Sequence, residues 1–304
     1  MIDVSAKFNT LRYARAEGTL RATADTINVV KAGKVPKGDV LEVARAAGIS
    51  AAKRTADWMV FCHTLPLDWV EVKFDVKETE IIVSAEAKAI WRTGVEMEAV
   101  TAVTGALLNM YDMLKPLETD LSFSNIRLVE KTGGKSNYKE HFDPQLTAAV
   151  LVISDSTFAG TRKDNSGLII KAILEEKGLD IKTYEILPDD EDKIRNRLVE
   201  LSEPDQADLI ITTGGTGFGP KDLTPEATQP ILDKEAPGIT EAIRRHGKDR
   251  TPYAMLSREL AGIRNKSIII NLPGSSKGAE ESMQALFPGI LHGFPMIWGG
   301  GHGK

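Results

Sequence analysis

The stretch TTGGTGFGPKDLTPEA, residues 212–227, places four glycines within six positions, Gly214, Gly215, Gly217 and Gly219, and follows them with an acid, Asp222. Glycine backbone lets N–H groups approach an anion closely, so the chemistry suggested is phosphate binding. Two familiar phosphate fingerprints are excluded. A Walker loop needs lysine and then Ser or Thr directly after its second glycine, whereas Pro220 follows Gly219 and Asp222 follows Lys221. The dinucleotide pattern needs a glycine where Pro220 stands. What remains is a turn of free N–H groups with a carboxylate close by. A carboxylate repels phosphate unless a divalent cation lies between them, so Asp222 points to Mg²⁺ shared with phosphate oxygens. Asp189, in ILPDD, is the candidate second ligand. Each acid has an alternative role as a helix N-cap, Asp189 for EDKIRN and Asp222 for a helix beginning near Pro225.

A second set of polar residues stands in the first half: Lys37 in VPKGDV, Cys62 and His63 in FCHTL, Glu96 and Glu98 in RTGVEMEA, Asp112 and Lys115 in MYDMLK. A lone cysteine beside one histidine is a poor structural zinc set. Asp112 and Lys115, three apart on one helix face, make either a simple ion pair or a proton-transfer couple in which cationic neighbours depress the lysine's pKa. Glu96 and Glu98 diverge by about 200° on a helix and share a face only in extended chain.

These residues need elements to hold them. WVEVKFDV alternates apolar and polar positions and predicts a strand with one dry face, with EIIVSAEAKAI as its pairing partner. Helical spacing runs through GDVLEVARAAGISAAKR and over residues 95–117. This mixed order predicts an α+β sandwich. KTGGKSNYKEHFDPQL, residues 131–146, loses hydrophobic periodicity and reads as a connector. Beyond it, buried strands (TAAVLVIS, IKTYEILP, ADLIITT, SIIINLPG) alternate with helical segments, which predicts an α/β three-layer domain with a mostly parallel sheet and ligands at the strands' carboxyl ends. The expected domains are 1–142 and 143–304.

The chain has 304 residues and a net charge of −5, which leaves no global basic footprint for nucleic acid. The single cysteine, the absence of a signal-peptide pattern and the absence of a long apolar run favour a cytoplasmic protein with no membrane partner.

From about residue 148 onward, ISDS, ILPDD, TTGGTGFGPKDLTPEAT, MLSR and NLPGSSKG, in this order, resemble the molybdopterin adenylyltransferase family, the MogA/MoaB group. The resemblance implies binding of molybdopterin and Mg-ATP and transfer of AMP to the pterin side-chain phosphate. It places the family's two essential acids on Asp189 and Asp222, its Ser-Arg pair on Ser257 and Arg258, and its phosphate loops on Gly214, Gly215, Thr216 and Gly217 and on Gly274, Ser275 and Ser276. Ser156 stands where many relatives have arginine. A catalytically silent pterin-binding or assembly module, or a nucleotide hydrolase on the same fold, are the alternatives for this half.

The first half resembles cyclic pyranopterin monophosphate synthase, the MoaC family, through DVSAK, PKGDV, TGVEMEA, YDM-K and K-GGKS. The implied reaction converts (8S)-3′,8-cyclo-7,8-dihydroguanosine 5′-triphosphate into cyclic pyranopterin monophosphate and pyrophosphate, with no cofactor and a ferredoxin-like fold. The implied catalytic groups are Asp112, Lys115, Lys37, His63, Glu96 and Glu98. Asp3, Lys7, Phe61, Cys62, His63, Met97, Glu98, Lys131 and Lys135 are the implied substrate contacts. KTGGKS would then be a mobile basic flap over a triphosphate, since Val129 replaces a Walker loop's first glycine. Both families form symmetric assemblies, so a homo-oligomer, trimer or hexamer, is expected.

Overall fold

The structure, a computed structural model, describes residues 1–134, 137–138 and 140–299. The chain divides into two compact units, Met1–Asn137 and Tyr138–Lys304.

The first unit runs β1 (Thr10–Arg21), α1 (Ala24–Lys31), α2 (Val40–Lys53), α3 (Thr55–Trp58), β2 (Trp69–Val76), β3 (Glu80–Trp91), α4 (Glu96–Leu114) and β4 (Ser122–Thr132). Its four strands form one sheet in the order β2-β3-β1-β4, and every neighbouring pair is antiparallel. The expected pairing of WVEVKFDV with EIIVSAEAKAI is β2 on β3, in register from Trp69 against Lys88 to Val76 against Ile81. Alternate residues of β1 and β3 face the helices, and many are small: Ala14, Ala16, Ala85, Ala87 and Ala89 are fully buried. Small residues let α4 lie close to the sheet. A Cβ on Gly18 of β1 would stand 2.7 Å from Val103 and 2.8 Å from Leu107 of α4.

Helices α2 and α4 approach through a similar seam. Asp39 caps α2, its Oδ1 accepting from the N–H groups of Leu41 (3.0 Å) and Glu42 (3.1 Å). Along the contact stand Ala44, Gly48, Ala51 and Ala52 against Ala102, Gly105 and Ala106. A Cβ on Gly48 would meet the Ala102 carbonyl at 2.8 Å, and one on Gly105 would meet Ala51 Cβ at 2.5 Å. The seam holds the start of α2, and the loop before it, at the carboxyl end of α4.

The second unit runs β5 (Thr147–Ile153), α5 (Asp155–Phe158), α6 (Ser166–Glu176), β6 (Asp180–Leu187), α7 (Glu191–Leu201), β7 (Leu209–Thr213), α8 (Thr224–Thr228), β8 (Lys234–Glu235), α9 (Pro237–Lys248), β9 (Ala261–Arg264), β10 (Ser267–Leu272), α10 (Ser276–Leu286) and α11 (Gly293–Ile297). The sheet order is β6-β5-β7-β10-β9-β8, parallel from β6 to β10 and antiparallel at β9 and β8. On one face Ala149, Leu151, Ile153, Ile210 and Ile269 pack against Ile194 and Leu198 of α7 and Ala227 of α8. Helices α6, α9 and α10 pack together over the other face. This is the mostly parallel, three-layer arrangement expected from the alternation of buried strands and helices. Among the described residues, no helix is long and apolar enough to cross a membrane.

The α2–α4 seam yields a stability prediction. Gly105→Val adds volume where a single Cβ already lies too close, so it should destabilise the first unit by about 1–3 kcal/mol, more than the helix-propensity gain over glycine. Urea unfolding that leaves stability unchanged would contradict the seam.

Candidate active sites

In the first unit, Lys37 from the loop before α2 reaches the last turn of α4. Its Nζ donates to Asp112 Oδ2 and to the Asp112 main-chain oxygen, both at 2.8 Å, and Lys115 Nζ lies 2.8 Å from Asp112 Oδ1. The hydrogen bonds from Lys115 and then Lys37 hold the Asp112 carboxyl down at about 2. The same carboxylate raises Lys115, so this lysine is protonated at neutral pH. That favours the ion pair over the depressed lysine of the proton-transfer alternative, because the group Lys115 touches is the Asp112 carboxylate. Ion pairs this exposed contribute little to stability, which leaves charge placement as the trio's main effect.

A second cluster forms at the other end of α4. The helix begins at Glu96, so Glu96 and Glu98 diverge. Glu96 Oε1 lies 3.2 Å from Lys131 Nζ on β4, while Glu98 turns inward and is 4% exposed. Burial, with the nearby Glu96 charge adding to it, pushes the Glu98 carboxyl up to about 7. Cys62 is close enough for Glu98 to help burial raise its thiol. His63 Nε2 lies 2.8 Å from the Ile2 carbonyl, which can only accept, so Nε2 carries the proton. The Ser5 N–H donates to Asp3 Oδ1 at 2.8 Å and lowers the Asp3 carboxyl, with His63 contributing. Phe61 and Met97 are exposed apolar side chains and Lys7 is exposed. Lys135 lies outside the described residues. Lys131 and Thr132 end strand β4, and Gly133 lies against Leu11 of β1, so the basic segment is strand rather than free flap up to that point.

Asp112 and Glu98 are fourteen residues apart on α4. At 1.5 Å per residue that separates them by about 21 Å. One chain therefore carries two clusters and does not merge them.

In the second unit the carboxyl ends of β5, β7 and β10 meet around a cavity of about 360 Å³. It is lined by Gly214 and Gly215 of the glycine loop, by Gly274, Ser275 and Ser276, and by Asp189 and Asp222. Thr216, Gly217, Ser257 and Arg258 lie outside the lining. The turn is possible only with glycine. Gly214 has φ +106, and a Cβ there would come within 2.2 Å of the Ile153 carbonyl; Gly215 has φ +64. The stem is fixed by buried Asn271, whose Nδ2 donates to Thr212 Oγ1 (3.0 Å) and Thr228 Oγ1 (3.1 Å).

The two acids resolve differently from their expected alternatives. The cap of α7 is Asp190, accepting from Lys193 N, so Asp189 is not the cap. Asp189 and Asp155 instead exchange hydrogen bonds: Asp155 N–H donates to Asp189 Oδ2 at 2.8 Å, and Asp189 N–H to Asp155 Oδ1 at 3.1 Å. Burial, then the charges of Asp155 and Asp222, raise the Asp189 carboxyl. Asp222 does not cap α8 either; its Oδ2 accepts from Gly219 N–H at 2.7 Å inside the loop.

The segment between α5 and α6 was not singled out by the sequence reading. Arg162, Lys163, Asp164 and Asn165 also line this cavity, with Ser154 and Thr157. The available signal was a basic pair in TRKDNSG immediately before a helix start.

Residues 1–134 match the MoaC family, and residues 149–292 match a family described as a probable molybdopterin binding domain. Over 302 residues the chain is 39% identical to the "Molybdenum cofactor biosynthesis bifunctional protein" of Chlorobaculum tepidum, covering 99% of this chain and 96% of that protein. The chain belongs to this family of bifunctional molybdenum cofactor biosynthesis proteins. The bifunctional protein of Synechococcus elongatus is 36% identical over 316 residues, covering 100% of this chain and 99% of the other. The first half alone is 51% identical to the cyclic pyranopterin monophosphate synthase of Novosphingobium aromaticivorans over 136 residues, 45% of this chain and 87% of that one.

Asp189 and Asp222 are the residues that could hold a hard cation in the cavity of the second unit. Its acids supply oxygen donors, and Asp189 carries a charge that its acidic neighbours disfavour. Among the described residues no cluster of three or more His, Cys, Asp or Glu forms a ready cage. Mg²⁺ commonly takes one or two carboxylates and completes its shell with phosphate and water.

The raised Glu98 makes a pH prediction. A carboxyl at about 7 in the fold and near 4.5 unfolded keeps its proton longer in the native state. Its contribution is present below about 4.5 and is lost as pH rises towards 7. Glu98→Gln should remove that decline, so urea unfolding of the first unit should show the variant gaining on the parent between pH 4.5 and 7. A constant difference would contradict the burial argument.

Proposed function

We propose that the first unit converts (8S)-3′,8-cyclo-7,8-dihydroguanosine 5′-triphosphate to cyclic pyranopterin monophosphate and pyrophosphate. The observation that carries this reading is the Lys37–Asp112–Lys115 trio. Asp112, ionised throughout the neutral range, orients two ammonium donors; protonated Lys115 gives up a proton rather than taking one, and both cations meet an anionic substrate. Glu98, titrating near neutrality, is suited to accept and return a proton. No cofactor is assigned to this half. Its ferredoxin-like assignment is supported by the antiparallel order β2-β3-β1-β4, with helices α1 to α3 between β1 and β2 and α4 between β3 and β4.

One chain leaves the Asp112 and Glu98 clusters about 21 Å apart, and we propose that a second copy of the chain brings them into one site in a homo-oligomer. Asp112→Asn and Glu98→Gln should each lower turnover by about 10²- to 10⁴-fold. Mixed oligomers of the two variants should recover part of the activity. Mixtures no more active than either variant would contradict a shared site.

For the second unit we propose binding of molybdopterin and transfer of AMP from Mg-ATP. An oxygen of the pterin phosphate attacks the α-phosphorus, the bond to the β-phosphate breaks, and pyrophosphate leaves. The cavity supports this reading by bringing glycine-loop N–H groups, the α10 start and two acids together. Asp189 and Asp222 would hold Mg²⁺, which supplies neutralisation of phosphate charge when bound. The glycine turns orient donors at the phosphates, and no covalent nucleophile is required. The partners are then small pterin and nucleotide substrates, and the setting is cytoplasmic.

The test is adenylylated product from molybdopterin and Mg-ATP. Asp222→Asn should abolish transfer while pterin still binds. A wild-type protein that binds pterin tightly but forms no product would make this half a silent binding module. ATP hydrolysis without pterin would favour a hydrolase.

A further inference from the structure

Arg258, the arginine of the Ser-Arg pair that the resemblance implies, is already engaged. Its Nε donates to the Gly217 carbonyl at 2.7 Å, and its terminal nitrogens donate to the Asp222 carbonyl and the Glu226 carboxylate. Its main-chain N–H donates to Thr216 O at 2.9 Å. The guanidinium is therefore neutralised by Glu226 and latches the glycine loop from outside the cavity. Lys221 is held likewise by Asp155.

A polyphosphate entering this cavity needs positive charge from elsewhere. Among the described residues, the only Lys or Arg in the lining are Arg162 and Lys163, both exposed and neither in an ion pair. Their neighbour Asp164, also in the lining, accepts from Ser166 Oγ (3.3 Å), Gly167 N (3.0 Å) and the Tyr184 hydroxyl and is in no ion pair with either of them among the described residues. The loop is also folded back on itself: the N–H groups of Thr161 (3.0 Å) and Arg162 (3.1 Å) and the Thr161 hydroxyl (2.8 Å) all donate to the Ser156 carbonyl. Arg162 therefore starts beside Ser156, a side chain that carries no charge.

We propose that Arg162 and Lys163 are the cationic edge of the second unit's cavity and bind the polyphosphate of a nucleoside triphosphate. This rests on the AMP-transfer reading of that unit. Arginine supplies a planar fork for two phosphate oxygens and lysine a mobile point charge, while Arg258 serves as a positioning residue for the loop.

The experiment is calorimetric titration of the full-length protein with Mg-ATP, following the Mg²⁺-dependent component that Asp222→Asn weakens. Arg162→Ala/Lys163→Ala should raise its Kd by about ten- to a hundredfold, the range expected for lost charge-assisted hydrogen bonds. Adding Ser156→Arg, which returns a guanidinium next to the Arg162 backbone, should bring Kd back to within about fivefold of the parent. Arg162→Gln and Lys163→Gln, minimal changes at exposed positions, should each give an intermediate loss. Parental affinity in the double alanine variant, or loss in it alone with both glutamine variants binding as the parent and no recovery on adding arginine, overturns the inference and leaves the AMP-transfer reading standing. A parent protein with no such Mg²⁺-dependent ATP binding removes that reading, and this inference with it.

Discussion

Two ammonium groups on one carboxylate, Lys37 and Lys115 on Asp112, set the charge arrangement of the first unit, and much of that unit's packing serves to bring them together. Lys37 is seventy-five residues from Asp112. It reaches the end of α4 because α2 and α4 run close, and they run close because Gly48 and Gly105 leave no side chain between them. A helix pair with larger residues there would stand further apart. The same economy of volume recurs under α4, where alanines of β1 and β3 and Gly18 let the helix settle on the sheet.

The second unit meets the same demand, charge held in a fixed place, through backbone. Parallel strands end at one level, and the turns that leave them approach so closely that Gly214 and Gly274 are nearly in contact; a Cβ on Gly274 would lie 3.0 Å from Gly214 Cα. Oriented N–H groups then replace many of the side chains that a polyanion site would otherwise need. The acids of that site are tied down as well, Asp189 by Asp155 and Asp222 by the Gly219 N–H, so a cation would find donors with little freedom left to lose.

How much of this was legible in the sequence depended on the range of the interaction. Alternation in WVEVKFDV and the buried runs around TAAVLVIS gave the sheets, since side-chain periodicity is local. The glycine loop was legible because its need for positive φ is written in its own residues. The cap of α7 was missed by one position: two adjacent aspartates are equivalent in pattern, and only the backbone decides that Asp190 caps while Asp189 pairs with Asp155. The sequence left the Lys115 pairing open between an ion pair and a depressed lysine, because three-residue spacing shows an available partner but not which charge stands closest. Arg162 and Lys163 were missed because a basic pair in a loop looks solvated until the loop's fold on Ser156 is known. The separation of Glu98 from Asp112 was implicit in their spacing on one helix, yet it became informative only when each was seen with its own partners.

The central claim is that the two units of the chain serve two chemically independent reactions. The most direct measurement follows pyranopterin synthesis and AMP transfer to molybdopterin in the same full-length preparations of the parent, Asp112→Ala and Asp222→Ala. The account predicts that Asp112→Ala loses only the first reaction and Asp222→Ala only the second. Loss of both reactions in either variant, or retention of both, would contradict it.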